Sequence, residues 1–425
     1  MRPTFESFAA EHRELTRRYF LKIGVGGIGL GSAVAGGLLS RSVHAWESPA
    51  EIAQKQERFK SYLTPQDTFN DVSRGTPLPH SLPDDKKREV GLTQDTWQLE
   101  VISDADHPVK LRNPMLKSDG TALKFAGLMQ LAEKHAVRFA KVMTCLNIGC
   151  PLGMGIWEGV PLRDVIWKTQ PRDYARRIFY YGYHNDDPKQ IFRSSLPIGR
   201  VFEDLYDLPP VILCYKLNGQ WLTSERGGPV RVVVPEAYGF KSIKWLSHVV
   251  VTSLAYANDT YAEQGNDVDS PLKTFAATLS VPNKVKANEP IPLTGYAQVG
   301  VGGLSKVQVW ITPADAPPPK DDPYFQSVTW RDMDLLPAPK EWGGGLPDNK
   351  IPNPTFGFDP ESGKPRTWPM RLCSVHWAGL HPGLPAGKYI VRSRAVDSAG
   401  KGQPLPRPFR RSGHAAIEET PIAVE

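Results

Sequence analysis

Cysteine is scarce in this chain, with four in 425 residues, too few for a disulfide framework. No HExxH, CxxC, CxxCH or P-loop motif occurs, which leaves a zinc protease, a thioredoxin-like centre, covalent c-type haem and an NTPase without support. GxSxG is missing too, and with it the commonest serine-hydrolase signal. Charge imbalance is small: Lys+Arg 51 against Asp+Glu 45 leaves +6, which calls for no nucleic acid partner on so long a chain. Composition also excludes collagen-like, coiled-coil and multi-span membrane classes. What is abundant is Pro (40) and Gly (37), together about 18% of residues against an average near 12%. That balance favours strands, turns and ordered loops around a real core, with length enough for two or three domains.

The first 45 residues read as an address. Thr16-Arg17-Arg18-Tyr19-Phe20-Leu21-Lys22 precedes an uncharged run from Ile23 to Leu39, and Val43-His44-Ala45 offers a small-residue cleavage site. The layout resembles a twin-arginine signal. Its apolar run has 17 residues with seven glycines, short of the roughly 20 needed to span a membrane. Inside it, Gly24-x-Gly26-x-x-Gly29 spells a dinucleotide fingerprint, but no strand and βαβ unit surround it. Residues 1–45 hold six Lys/Arg and three Asp/Glu, so cleavage would halve the net charge to +3. Export by this route delivers folded proteins, often with a cofactor already inserted, and so predicts a periplasmic protein, the twin-arginine translocase as a partner, and a cofactor.

The mature chain divides into two blocks. Over 46–270 strands mix with short helices: an amphipathic helix over Glu51–Leu63, a helix over Leu123–His135, a buried strand over Ala136–Thr144 and a helix over Pro161–Trp167 with Pro in its first turn. Arg177–Tyr181, Val211–Tyr215, Val230–Val234 and His248–Thr252 are β-branched or aromatic runs. Over 271–425 helical periodicity vanishes, and Lys306–Ile311 and Tyr389–Ala395 alternate with the period of strands in a β-sandwich. An insert from Pro313 to Pro369 carries 13 prolines and the run Gly343–Gly345. A loop that long in a compact domain is expected to pack against another surface, a second subunit included.

One segment stands out for chemistry: Val142-Met143-Thr144-Cys145-Leu146-Asn147-Ile148-Gly149-Cys150-Pro151. A cysteine at the exit of a buried strand, before a Gly-containing loop, stands where α/β enzymes present site residues. Its thiolate is a soft metal ligand. A Cys145–Cys150 disulfide, or two plain buried thiols, fits the spacing equally well.

Thr144-Cys145-x-Asn147, then Gly155-Ile156-Trp157-Glu158-Gly159-Val160-Pro161-Leu162-Arg163-Asp164-Val165, resembles the cysteine loop and following segment of the sulfite oxidase family of molybdopterin-dependent oxidoreductases. Tyr215–Gln220, Gly228–Pro235 and Tyr238–Trp245 continue the likeness, and Arg392-x-Arg394-Ala395-x-Asp397 resembles the family's C-terminal dimerisation region. The resemblance implies an α+β chain: a mixed α/β molybdopterin domain over 46–270, then an immunoglobulin-like β-sandwich over 271–425 that pairs two copies. It implies a molybdenum–molybdopterin cofactor with Cys145 as metal ligand, and pterin contacts from Arg226, Arg231, Ser242, Ile243 and Lys244. Asn70 and Arg74, in a loop that would cover the pterin, and Asn185 are further cofactor contacts by position. A guanidinium fork and backbone N–H groups suit the phosphate and ring edges of such a cofactor. Trp157 reads equally as core or as lining of the site.

The departures bear on substrate. Family sulfite oxidases place an arginine five residues after the ligand; here that residue is Cys150. Their tyrosine falls on Phe192, with Arg193 next to it as a compensating cation, beside Arg74. The resemblance still implies sulfite oxidation, with electrons passed to a separate c-type cytochrome or similar periplasmic carrier, since no haem motif lies on this chain. The Tyr-Gly-Phe-Lys-x-Ile-Lys run resembles a branch that reduces sulfoxides, so an S- or N-oxide reductase is the alternative, and a catalytically silent binding or assembly module the alternative of another class.

Overall fold

The computed structural model describes residues 61–425 except 147–150, 173, 205–206, 258, 282–283, 318, 405–408, 410 and 414. The twin-arginine segment, nearly all of the expected Glu51–Leu63 helix, and Cys150 lie outside the described residues. Leu63, the last residue of that expected helix, bridges to Gly343 as extended backbone.

Two five-stranded sheets build the first half. One has Val137–Thr144, Pro151–Pro161, Ile212–Leu217 and Gln220–Trp221 in antiparallel order, with Arg231–Val233 also paired to Ile212–Leu217. The other runs Leu123–Lys124, Gln98–Ser103, Leu246–Thr252, Arg177–Gly182, Arg193–Pro197, with Gln98–Ser103 parallel to Leu246–Thr252. Every residue of Pro151–Pro161 is buried, which accounts for its unalternating apolar sequence. Its one carboxylate, Glu158, is answered by Arg138 Nε at 2.6 Å and by the Tyr215 hydroxyl at 3.1 Å, as a buried charge requires.

Local sequence sets the helices. In Phe125–His135 the residues Phe125, Leu128, Met129, Leu131 and Ala132 face the core shared with Val101, Val160, Leu162 and Val249, a helical apolar stripe. Lys134 and His135 fall in the last turn, where cations suit the helix dipole. The expected Pro161–Trp167 helix runs Leu162–Lys168, with Pro161 closing the preceding strand and capping the helix start.

The second half is an eight-stranded sheet folded over its own core. Phe275–Ser280, Ile291–Gln298 and Ser374–His381 form one layer; Lys306–Pro313, Gly387–Val396, Glu418–Val424 and Lys284–Val285 form the other. Arg331–Leu335 pairs with strands of both layers and joins them along one side. Val307, Val309, Leu293, Trp377 and Val391 meet between the layers. Apart from a 3-10 turn at Pro347–Asn349, no helix occurs here among the described residues.

The proline-rich insert packs on its own chain. Leu63 N–H donates to Trp342 O at 2.8 Å, Phe356 N–H to Arg138 O at 2.7 Å, and Asn218 Nδ2 to Gly344 O at 2.9 Å. Gly343–Gly345 all have φ near +70°, and a Cβ on Gly344 would meet Leu63 Cβ at 2.5 Å. Only glycine makes that turn at that closeness. Tyr62 adds its ring, stacked 4.4 Å from His376 and flanked by Trp342 and Trp368.

Candidate active site

The strand Val137–Thr144 ends at buried Thr144, and Cys145 follows, half-buried and facing a cavity of about 280 Å³. Thr144 Oγ1 bonds Gln298 Oε1, and Val142 N–H donates to Leu372 O at 2.7 Å. The folded C-terminal sheet therefore buttresses the strand that delivers the cysteine. Cys145 is the one cysteine among the described residues lining that cavity; Cys214 and Cys373 are buried elsewhere, and burial pushes both thiols up to about 12.

The same cavity is lined by cations. Arg231, almost fully buried, donates from Nη1 to Arg226 O at 2.8 Å and from Nη2 to Ser242 O at 2.6 Å, and lies 5.3 Å over the Trp157 ring. Burial drags its pKa down to about 10. Arg226 donates from Nη1 to Phe69 O at 3.0 Å and pairs through Nη2 with Glu225. Lys244 has three acceptors, Asp71 Oδ1 at 2.7 Å, Ser73 Oγ at 2.7 Å and Glu225 O at 2.6 Å. Burial and then the Arg231 charge lower it to about 8, against the pull of Asp71. For Asp71, burial acts upward, but the Lys244 charge and the Lys244 and Ser73 hydrogen bonds outweigh it and hold the carboxyl at about 2. Gly227 makes room: φ is +95°, and a Cβ there would lie 2.6 Å from Lys244 Cγ.

Asn70, Arg74, Cys145, Trp157, Arg226, Arg231, Ser242, Ile243 and Lys244 all line this one cavity. Trp157 does so by its ring, since its Nε1 already donates to Lys141 O at 3.1 Å. Ser242 Oγ accepts from Val234 N–H, which fixes the loop Gly239–Lys244 under the strand. Two residues singled out above stand off the cavity. Asn185 donates from Nδ2 to Pro77 O at 2.8 Å and to Gln190 Oε1, bracing the loop that carries Arg74. Arg193 reaches Glu263 at 3.4 Å and lies over Phe179, because it sits one residue after cavity-lining Phe192 at the start of a strand, where neighbours face opposite ways.

Sequence reasoning missed Asp71, Phe240 and Tyr261. Tyr261 projects from the short helix Thr260–Glu263, its hydroxyl accepting from Arg74 Nη2 at 2.6 Å, its ring 4.9 Å from Phe192 and 5.1 Å from Phe240. No spacing rule links positions 74 and 261.

The cavity suits a large anionic group bearing a soft metal. The Nε atoms of Arg226 and Arg231 are buried without an acceptor, as are His184 Nδ1 and Ser224 Oγ nearby. Such orphans are costly unless a ligand satisfies them. With a thiol lining the same cavity, the donor set fits an anionic pterin whose metal takes a sulfur ligand.

These features define a molybdopterin-binding oxidoreductase, and comparison with known proteins agrees: the profile of the oxidoreductase molybdopterin binding domain matches residues 87–259. The chain belongs to the sulfite oxidase family of molybdenum oxidoreductases. It is 26% identical over 320 residues to the mitochondrial sulfite oxidase of Drosophila melanogaster, covering 69% of this chain and 51% of that protein. With sulfite oxidase of Gallus gallus it shares 29% over 212 residues, 48% of this chain and 42% of that one. With nitrate reductase [NADH] 2 of Arabidopsis thaliana it shares 27% over 168 residues, 37% of this chain and 18% of that protein. The chain thus spans about half or less of the curated relatives it matches. The sulfane dehydrogenase SoxCD of Paracoccus pantotrophus has the same fold, with a TM-score of 0.54 over 93% of this chain and 96% of that one at 14% identity.

Proposed function

We propose that this chain is a periplasmic molybdopterin oxidoreductase that transfers an oxygen atom at sulfur, turning sulfite and water into sulfate, two protons and two electrons. The observation that carries the reading is Cys145 at a strand exit, lining one cavity with Arg226, Arg231 and Lys244. When bound, the molybdenum–pterin centre supplies the two-electron couple and the exchangeable oxygen. The chain's residues do the holding. Cys145 is the sulfur ligand, Arg226 and Arg231 offer their unused Nε–H groups to the cofactor's polar edge, and Lys244 adds positive charge from its bracket of Asp71, Ser73 and Glu225. Phe69, Met143, Leu152 and Trp157 keep water from that wall. Electrons leave singly to a separate c-type cytochrome, and the twin-arginine route delivers the loaded protein.

Molybdenum and pterin are to be measured in protein purified from its export-competent host, beside Cys145→Ser. The expected result is stoichiometric metal in the wild type and its loss or destabilisation in the variant. A wild type with neither metal nor pterin overturns the proposal. The aromatic wall of Phe192, Phe240 and Tyr261 favours a second reading, reduction of an S- or N-oxide with an apolar substituent. Sulfite oxidation assayed against sulfoxide reduction separates the two. The C-terminal folded sheet is assigned the role of an immunoglobulin-like dimerisation module, and a monomeric mass by light scattering at micromolar concentration would remove it.

A further inference from the structure

Charge on this chain is not spread evenly. The stretches 107–117 and 167–177 hold seven Lys/Arg and one Asp, a local +6 that equals the net charge of the whole chain. The fold lays the two side by side: Leu111 bridges to Pro171, Asn113 N–H donates to Thr169 O at 3.1 Å, and Arg172 N–H donates to Lys110 O at 2.8 Å. Lys110, Arg112, Lys168, Arg172 and Arg176 are all exposed there. Among the described residues none of the five forms an ion pair, and carboxylates close by turn to other partners, Asp164 to His135 at 3.4 Å and Asp204 to Arg163 at 2.6 Å.

Two aromatic rings stand among these cations. Trp167 is 67% exposed, although its helix Leu162–Lys168 buries Leu162, Val165 and Ile166. Tyr174 is 74% exposed, and its φ of +67° is a left-handed backbone that strains a bulky residue; strain of this kind gathers at working surfaces. A protein interface collects apolar residues at its centre and keeps charge to the rim. Here Lys168 and Arg172 stand between the two rings along the chain. That mixture suits lipid headgroups, where Trp and Tyr rings seat and where Lys and Arg are drawn to anionic lipid. No helix among the described residues is long and apolar enough to cross a membrane, and none of these seven residues lines the cavity.

We propose that this face binds the surface of an anionic bilayer. Trp167 and Tyr174 enter the headgroup layer, and the five flanking cations meet lipid phosphates. The proposal is independent of the oxygen-transfer reading above.

The full-length purified protein is mixed with vesicles of phosphatidylcholine and phosphatidylglycerol, or of phosphatidylcholine alone, and the bound share is read by cosedimentation. Wild type binds the anionic vesicles, binds phosphatidylcholine at least about tenfold more weakly, and comes off as salt is raised. Arg112→Gln combined with Arg172→Gln weakens binding about twentyfold, at about fivefold per charge removed. Trp167→Ser weakens it about tenfold, the worth of a large apolar face returned to water. Lys364→Gln combined with Lys401→Gln, at two exposed lysines elsewhere, leaves binding unchanged. All variants keep the same N-terminal segment, so any affinity of that segment for lipid cancels in the comparison. Equal binding to both vesicle types, an arginine double variant that binds like wild type, or an equal loss in the lysine control overturns the proposal. A wild type that ignores anionic vesicles overturns it too, and its retention on immobilised polyglutamate would then give the face to an acidic protein.

Discussion

Asp71→Asn tests the cavity's electrostatic closure. Asp71 sits in the loop Phe69–Gly75 that lines the cavity, and its Oδ1 meets Lys244 Nζ at 2.7 Å. The carboxyl is held at about 2 in the fold against an ordinary 3.8, a difference worth about 2 kcal/mol. Its side chain is 22% exposed, so solvent screens the interaction only in part. Since the folded carboxyl is the stronger acid, this stability is fully present above about pH 4, fades as pH falls toward 2 and is gone below it. The amide keeps a contact to Ser73 but leaves the Lys244 ammonium in its buried bracket without a counter-charge. Denaturant unfolding of wild type and variant, on batches matched for molybdenum content, should show a gap of about 2 kcal/mol at pH 7 that narrows steadily between pH 4 and pH 2. Equal stabilities at pH 7 would refute the reasoning, as would a gap unchanged at pH 2.

Two further changes probe the supports of the cysteine strand. Lys141 is buried, its Nζ donating to Pro235 O and Ala237 O at 2.7 Å each, and burial lowers it to about 7. The unfolded chain then holds more protons between pH 7 and 10.5, so wild-type stability rises there by up to about 1.4 kcal/mol per pH unit. Lys141→Met removes that contribution and flattens the slope, and urea titrations at pH 7, 8.5 and 10 that show the same slope in both proteins would count against it. Thr144→Val removes the hydroxyl bonded to Gln298 and leaves a buried amide oxygen unpaired, a cost of about 1–3 kcal/mol; an unshifted melting transition would show that the two halves are not joined there.

The parts of the site that could be read from sequence are those in which local pattern and chemistry coincide. Cys145 follows a buried apolar run, and Arg231 and Lys244 flank a short strand and a loop that return to one place. Their neighbourhood is fixed by pairings across a few tens of residues. Asp71, paired to a residue 173 positions away, and Tyr261, bonded to one 187 away, belong to contacts that only the packed chain reveals. Arg193 illustrates the sensitivity of strands: one step along the backbone turns a side chain from the cavity to the far face. The helix boundaries moved for equally physical reasons. Leu123 and Lys124 pair with Gln98–Ser103 before the helix begins, and Pro161 serves the strand and the cap. In the second half, alternation in Lys306–Pro313 and Gly387–Val396 made two central strands plain, whereas Arg331–Leu335, short and polar inside the proline-rich insert, carried no such signal.

The loop from Phe69 to Gly75 and Tyr261 both lie outside the stretch 87–259 that matches the molybdopterin-binding profile, yet both wall its cavity. The matched stretch by itself therefore leaves one side of the cavity open. A change in those flanks reaches the matched stretch directly, because Asp71 pairs with Lys244 and the Phe69 carbonyl accepts from Arg226. A graft of 87–259 alone into another scaffold would accordingly carry Arg226 and Lys244 without the loop that braces them.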